Sequence, residues 1–462
     1  MKILFYCWKA YNQSDIIEAL RRRGHAVDTF EMELGNFEVD DNFTDKFIKK
    51  MAMNDDLAVY SAAGDCGDEK TYTDYVEHNG KDAQDDVDCV YDAVFSVNYF
   101  PIISDICEQF FHSKVKYICW TCDSPLSTMY HQSIFNECNY IFIFDRFCYM
   151  EFKERGANVY YLPLAAATRR ADDVIKKWQT DMKQRKGLLD APDAPGNNAA
   201  ACVEDATEYK SPGGDTAGDF LYDVSFIGSM YRKNSYDEIK DMLPDYVRGY
   251  FDALMKLQME IYGENYIDGM LTAEIMYELN KHFRIEKSER SFSDISLIFS
   301  TTVLGFKIAQ LERYKLLGEL SKYFDVSVFT DDENADFVLA HNMGPVRYWD
   351  ESPIVFHTSK INLNFTIRNI RSGIPLRVWD ILSAGGFCIT NFQPELVMYF
   401  KNGEDLVWFE DEADLVKKVR YYLRHEDERR KIALNGQKKV RELHNYDARL
   451  QLIEDIVTKS KG

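Results

Sequence analysis

Arg377 and Asp380 stand three positions apart on one face of a short apolar segment, with Ala384 below them. A guanidinium there suits an anionic ligand and a carboxylate suits ligand hydroxyls. The plainer alternative is that the two pair with each other for roughly 0.2–0.5 kcal/mol. Two other carboxylates follow buried-type apolar runs: Asp123 in WTCDSP and Asp145 in FDR. A partly buried carboxylate at a strand end can have its pKa raised into the range of a general base. Asp123 also suits a helix N-cap ahead of Pro125, and Asp145 suits a salt bridge with Arg146. The lone His112 and His341 are expected to be structural. No clustered Asp/His set with metal-ligand spacing is evident, so no metal is expected.

The elements that must position Arg377 and Asp380 lie in Ser359–Gln393, SKINLNFTIRNIRSGIPLRVWDILSAGGFCITNFQ. Ile361–Phe365 alternates as a strand, and the polar turn Arg368–Gly373 follows, including Ser372. Pro375 suits a first helical position, Leu376–Ala384 reads as helix, Gly385-Gly386 stops it, and Phe387–Thr390 reads as a buried strand. Strand, loop, helix N-terminus, strand is the unit with which open α/β sheets bind phosphorylated ligands. Free N–H groups and the positive helix end favour a diphosphate there.

The motifs KINLN, SGIPLRVWDILSAGGFCITN and YYLRHEDERRKIALNGQKKV resemble the C-terminal half of CgeB-like (spore-maturation) glycosyltransferases. These lie within the GT-B group of nucleotide-sugar-dependent transferases. The resemblance covers roughly the last 240 residues. It implies two Rossmann-like domains facing a cleft, a nucleotide-sugar donor rather than a cofactor, and no metal. In many retaining GT-B enzymes two glutamates occupy the focal stretch, one near the sugar and diphosphate, the other on the ribose. Here Asp380 takes the second place and Ser372 the first, so the ribose carboxylate is kept in shorter form and the sugar-side carboxylate is absent. That departure leans toward inversion. The resemblance also maps the nucleoside loop onto Gly344, Val346 and Tyr348, with Asn364 and Arg368 bordering the same cleft. Gly228 and Ser229 would let a ligand approach the backbone, while Arg232 and Lys233 would offer charge to a leaving diphosphate. Asp123, or second Asp145, would be the base for an acceptor hydroxyl. For Tyr348 ordinary packing, and for Arg232 and Lys233 surface charge, are the competing assignments.

The bulk numbers agree with a globular chain. Its 462 residues allow two or three domains with full cores, and 46% hydrophobic with 14% aromatic residues excludes disorder. A net charge of −21 argues against general nucleic-acid binding and against docking on anionic lipid. No leader-like or membrane-spanning run is evident, and a cytoplasmic protein is expected. Ten cysteines are scattered, with one CxxC at Cys119–Cys122 read as ordinary buried thiols.

Read in order, βα alternation over residues 1–168 forms a first doubly wound parallel sheet. It includes strands Lys2–Trp8, His25–Glu31, Ala93–Val97, Val115–Trp120, Tyr140–Phe144 and Val159–Leu162. No GxGxxG follows the first strand, which disfavours a nicotinamide-type domain. Helices are expected near Phe43–Met53 and Tyr72–His78. The run at 82–88 is a solvated acidic stretch. Residues 169–220, rich in Ala, Gly, Pro and Asp, form a linker or insertion. Residues 221–462 form the second domain, with a helical layer at about 235–290. Its strands are expected at Asp223–Ile227, Ser296–Phe299 and Asp325–Phe329. Helices follow at Ala309–Tyr323, Pro394–Phe400, Glu412–Arg424 and Asp427–Glu442.

Two other readings share this architecture: a non-hydrolysing nucleotide-sugar epimerase, and a catalytically silent spore-surface scaffold retaining a nucleotide cleft. The acceptor is open among protein, glycan and small molecule.

Overall fold

The computed structural model describes residues 1–54, 88–124, 126–189, 220–283, 288–332 and 339–459. The expected helix at Tyr72–His78, nearly all of the acidic run at 82–88, and residues 190–219 of the linker lie outside them. Two sheets, each of six parallel strands, organise the chain. The first has the order β2-β1-β3-β4-β5-β6, with β1 Lys2–Cys7, β2 Ala26–Glu31, β3 Ala93–Val97, β4 Lys116–Trp120, β5 Asn139–Ile143 and β6 Val159–Tyr161. The second has the order β12-β11-β10-β7-β8-β9. Its strands are β7 Tyr222–Ile227, β8 Val326–Phe329, β9 His341–Asn342, β10 Ser359–Asn364, β11 Cys388–Asn391 and β12 Val407–Phe409. Central strands such as β3 and β5 are buried along their whole length because helices cover both faces of a parallel sheet. Their sequences therefore read as continuous apolar runs. Two doubly wound α/β domains facing a cleft are the GT-B architecture.

The chain order of the second sheet reverses between β10 and β7, and a ligand crevice belongs at the carboxyl ends of those two strands. The helix that serves it, Leu376–Ser383, starts one residue after Pro375, which is the N-cap rather than the first helical residue. It ends at Ala384 through a Schellman closure: Gly385 N–H bonds Leu382 O at 3.1 Å and Gly386 N–H bonds Ile381 O at 3.0 Å. Gly385 has φ +73°, which only glycine adopts without strain. A Cβ on Gly386 would fall 2.7 Å from both Asn362 Nδ2 of β10 and the Phe356 carbonyl of the preceding helix, so the helix end packs there only because that position is bare. Trp379 and Ile381 beneath it are fully buried and key the helix onto the core.

One expected strand is helix. Ser296–Phe299 lies in Ile295–Ile298 and a wide turn, Phe299–Val303, that run directly into Leu304–Ser321. A short apolar run bears no mark that separates a buried strand from a buried helix. The combined run Ile295–Ser321 has the length and apolarity of a membrane span, yet 56% of its most apolar window is buried within this protein. It also carries the buried charges Glu312 and Arg313. The expected helix Pro394–Phe400 is reduced to Leu396–Tyr399.

The helical layer, Ser235–Ile239 through Ala273–His282, does more than cover the second domain. The segment that follows it reaches the first: Arg290 donates to both oxygens of Asp105 at 2.6 and 2.9 Å, and Ser291 bridges His131. The last helix, Tyr446–Lys459, also lies on the first domain. Arg23 clasps Glu454 at 2.6 and 2.7 Å, and Arg449 Nε donates to the carbonyls of Pro163 and Leu164 at 3.1 and 3.3 Å.

Candidate functional site

A cleft of about 470 Å³ opens at the crossover point of the second sheet, within the range of small-molecule sites. The loops after β7 (Gly228, Ser229, Tyr231), β8 (Thr330, Asp331) and β10 (Phe365, Thr366) line it, as do Pro375 and Arg377 at the helix start. Tyr11 and Asp123 close it from the first domain. Pro345, Val346 and Tyr348 form its far wall.

Two guanidinium groups face this space. Arg313, on Leu304–Ser321, is nearly fully buried. It donates Nη1 to Ser229 O and Nη2 to Phe365 O, the latter at 2.9 Å, and so bridges the ends of β7 and β10. Its plane lies 4.8 Å from the Tyr231 ring and 5.3 Å from the Phe226 ring. Arg377 lies 5.5 Å from the Phe356 ring. Among the described residues, Arg313 Nε and Arg377 Nη1 are buried without a hydrogen-bond partner. Burial, with the neighbouring charge of Arg377 adding to it, pulls the Arg313 pKa below its ordinary value despite opposing Tyr231 and Glu312. Two like charges held close with donors unengaged describe an anion site: the anion supplies the missing acceptor and relieves the repulsion.

The residues nominated from sequence divide sharply. Gly228, Ser229, Val346, Tyr348, Asn364, Arg377 and Asp123 all line the cleft. Gly344 sits beside it at φ +77°, its N–H held by Asn342 Oδ1 at 3.0 Å, and turns the chain so that Pro345 and Val346 face inward. The Gly228 N–H is occupied by Phe329 O at 3.0 Å, so its contribution is space, with Arg313 Nη1 only 3.7 Å from where a Cβ would stand. Asp123 is exposed and does not cap a helix. Its Oδ2 accepts from Asn98 Nδ2 at 2.6 Å, while Asn98 Oδ1 accepts from the backbone of Cys122 at 2.8 Å and Asp123 at 3.3 Å. Asn98 is buried at φ +66°, a left-handed conformation that asparagine tolerates, and it pins the Asp123 loop to the end of β3.

The others require correction. Arg232 and Lys233 are exposed and do not line the cleft, and Arg232 faces Asp332 at 3.7 Å. Arg368 is buried against Glu312 and stacks 4.5 Å over Tyr262. Asp145 is fully buried and caps Arg146–Glu154 through the N–H groups of Phe147 (3.0 Å) and Cys148 (3.3 Å). Its other oxygen takes Arg371 N–H at 2.7 Å. It makes no ion pair with Arg146, whose N–H instead bonds Glu395 at 2.7 Å. Ser372 Oγ lies 2.7 Å from Glu395 and 3.2 Å from Asp145. Gly373 faces Phe144, 2.8 Å from where its Cβ would be, so it permits close domain contact rather than ligand approach. Asp145, Ser372 and Gly373 therefore form the seam between the domains.

Asp380 is buried behind the wall rather than on it. Its Oδ1 accepts from the Tyr348 hydroxyl at 3.1 Å and lies 3.8 Å from Arg170. Burial pushes its carboxyl up to about 6, against the opposing charges of Arg170 and Arg377. It does not form a hydrogen-bonded pair with Arg377. Cys119 is a buried free thiol whose pKa burial raises, as ordinary packing requires, and Cys122 is likewise unpaired. Arg313 was missed because it sits mid-helix with no motif. The available signal was the adjacent Glu312 and Arg313 within a largely apolar helix, but Lys315 of the same helix is exposed, so local sequence does not tell a buried charge from a solvated one.

Residues 308–455, which hold both arginines, match the family model described as glycosyl transferase-like. No curated protein matches the chain. Similar solved structures include Anabaena Alr3699/HepE in complex with UDP, 8% identical at a TM-score of 0.46, over 99% of this chain and 100% of that one. A glycosyltransferase from Rickettsia africae ESF-5 is 10% identical at 0.47 over 99% and 98%. A UDP-forming trehalose-phosphate synthase from Burkholderia xenovorans is 12% identical at 0.45 over the whole of both chains. At such identities and scores no residue role transfers from them. Fold and cleft define a two-domain α/β protein of GT-B architecture with a glycosyl transferase-like second domain.

Proposed function

We propose that the protein is a glycosyltransferase that moves a sugar from a nucleoside diphosphate donor to an acceptor hydroxyl. The observation that carries this is the pair of incompletely engaged guanidinium groups, buried Arg313 and half-buried Arg377, at the crossover point of the second sheet. The diphosphate would lie between them. As the sugar C1–O bond breaks, charge grows on the departing phosphate oxygen, and preorganised donors in a partly dry site stabilise it. Fixed cations supply the neutralisation that a divalent metal gives elsewhere, which supports metal-independent transfer. The nucleoside would rest on Val346 and Tyr348, and the sugar would face the first domain. There the Asp123 carboxylate would take the acceptor proton while the acceptor oxygen attacks C1. A base on the first-domain side, together with a Ser372 engaged in the seam, supports inversion. We further assign the protein to the CgeB-like type, on the strength of its second-domain motifs.

Thermal shifts against UDP, GDP and dTDP, with magnesium and with a chelator, test this. Ligand at about 100 times its Kd adds about 2.7 kcal/mol to stability. A shift with one nucleotide, equal in both buffers, is the expected result. No shift with any of them would overturn the donor-site assignment.

A further inference from the structure

We infer that Arg170 is a positioning residue that ties the nucleoside wall of the cleft to the first domain, so that nucleoside binding and closure of the domains are coupled. The inference rests on the cleft being a nucleotide-sugar site. Arg170 stands on the crossover helix Thr168–Leu189 with its side chain 14% exposed, and it does not line the cleft.

Its guanidinium engages four groups from both domains. Nε donates to Asp15 at 3.0 and 3.1 Å, and Nη1 donates to the carbonyls of Tyr348 and Trp349 at 3.2 and 3.3 Å. Nη2 faces Asp380 at 3.8 Å. The same plane covers the Tyr348 ring at 4.6 Å and the Trp349 ring at 5.5 Å. Tyr348 is thus held on its ring face, at its carbonyl and, through Asp380, at its hydroxyl.

Asp15 belongs to Gln13–Arg22, and the loop that leads into that helix carries Tyr11. Tyr11 is 65% exposed, lines the cleft and packs its ring 5.1 Å from Tyr348. One unit of the first domain therefore both faces the ligand and holds the far end of the Arg170 clasp. A motion that brings Tyr11 toward a ligand carries Asp15 with it, and Arg170 passes the displacement to the wall. Five fixed donors in one plane make these contacts together, which a lysine ammonium cannot do.

Calorimetric titration of the full chain with the nucleoside diphosphate found above, and with inorganic pyrophosphate, separates the wall from the phosphate end. Arg170→Ala is expected to weaken the nucleoside diphosphate tenfold or more and to leave pyrophosphate within twofold. Arg170→Lys is expected not to rescue. Asp15→Asn, which alters no cleft residue, is expected to weaken the nucleoside diphosphate in the same direction, and it carries the test if Arg170→Ala fails to fold. Unchanged affinity in both Arg170→Ala and Asp15→Asn would overturn the inference alone. Equal weakening of both probes would also overturn it, by showing general loosening. A wild-type protein that binds no probe would overturn the cleft assignment and this inference with it.

Discussion

The cleft and the seam behind it are built from similar residue types, drawn largely from the same stretch of chain, and they use them in opposite ways. In the seam every group is answered. Asp145 takes backbone donors from both domains, and Ser372 sits between Asp145 and Glu395. Glu395 also takes the Tyr161 hydroxyl, which in turn lies 2.8 Å from Tyr399. In the cleft, Arg313 and Arg377 keep donors that no described residue accepts, and Asp123 stays exposed on a braced loop. A polar side chain whose hydrogen-bonding capacity is filled by its own protein stabilises the fold. One held in place with capacity left over can serve a ligand.

Asp123→Asn should give the largest effect, because it removes a base from the open side of this comparison. Turnover is expected to fall by about 10²–10⁴, with nucleoside diphosphate affinity kept, in steady-state assays and calorimetry. Unchanged turnover would erase the distinction between Asp123 and Asp145. Arg377→Ala comes next: loss of charged hydrogen bonds worth about 1.5–3 kcal/mol should weaken nucleoside diphosphate binding by roughly ten- to a hundredfold. An affinity within twofold of wild type would mean that its unengaged donor answers no ligand.

Ser372→Ala probes the seam. It leaves the Asp145 and Glu395 carboxylates facing each other without their shared hydroxyl, and should cost about 1–3 kcal/mol in urea unfolding. Ligand affinity should be intact, and a selective loss of affinity would move Ser372 back into the site.

Asp380→Asn should give an effect confined to one pH window, with the sharpest sign. Burial holds the folded Asp380 carboxyl at about 6, against an ordinary value near ~4. Between these values the folded state binds more protons than the unfolded. This group's contribution to stability therefore grows as pH falls through about 6 and is lost as pH rises past it, by roughly 1–3 kcal/mol. Urea midpoints of wild type and Asp380→Asn compared from pH 4.5 to 7.5 should diverge with that slope. The subtraction cancels the opposite contribution of His444, which burial holds down at about 4. Parallel midpoints would place Asp380 in contact with solvent.

Much of the fold was legible in the chain, and particular residues show why. The apolar runs of β3, β4 and β5 announce strands buried on both faces, and Gly385-Gly386 marks a helix stop that the structure closes as a Schellman turn. Glu412–Arg424 was legible to the residue because Asp411 caps its start and apolar positions recur at helical spacing. Ser296–Phe299 failed since a run of three apolar residues after Ser296 carries no period. The return of Tyr446–Lys459 to the first domain was not legible either, because its partners, such as Arg23 and Pro163, lie hundreds of positions away.

The site divides along the same line. The Gly385-Gly386 stop and the Arg377 helix start are local signals, since φ limits and helix ends are properties of a few neighbouring residues, and sequence alone determined them. Which charges reach a ligand was decided by tertiary structure. Arg368 and Arg313 lie on segments that both border the cleft, and either could have been the anion ligand. Among the described residues both keep an unpartnered Nε, but Glu312 pairs with Arg368 and Tyr262 covers it away from the cleft, while Arg313 reaches between β7 and β10 and lines the cleft. Whether a donor is answered depends on what the rest of the chain brings within about 3 Å of it, and no local pattern of residues encodes that.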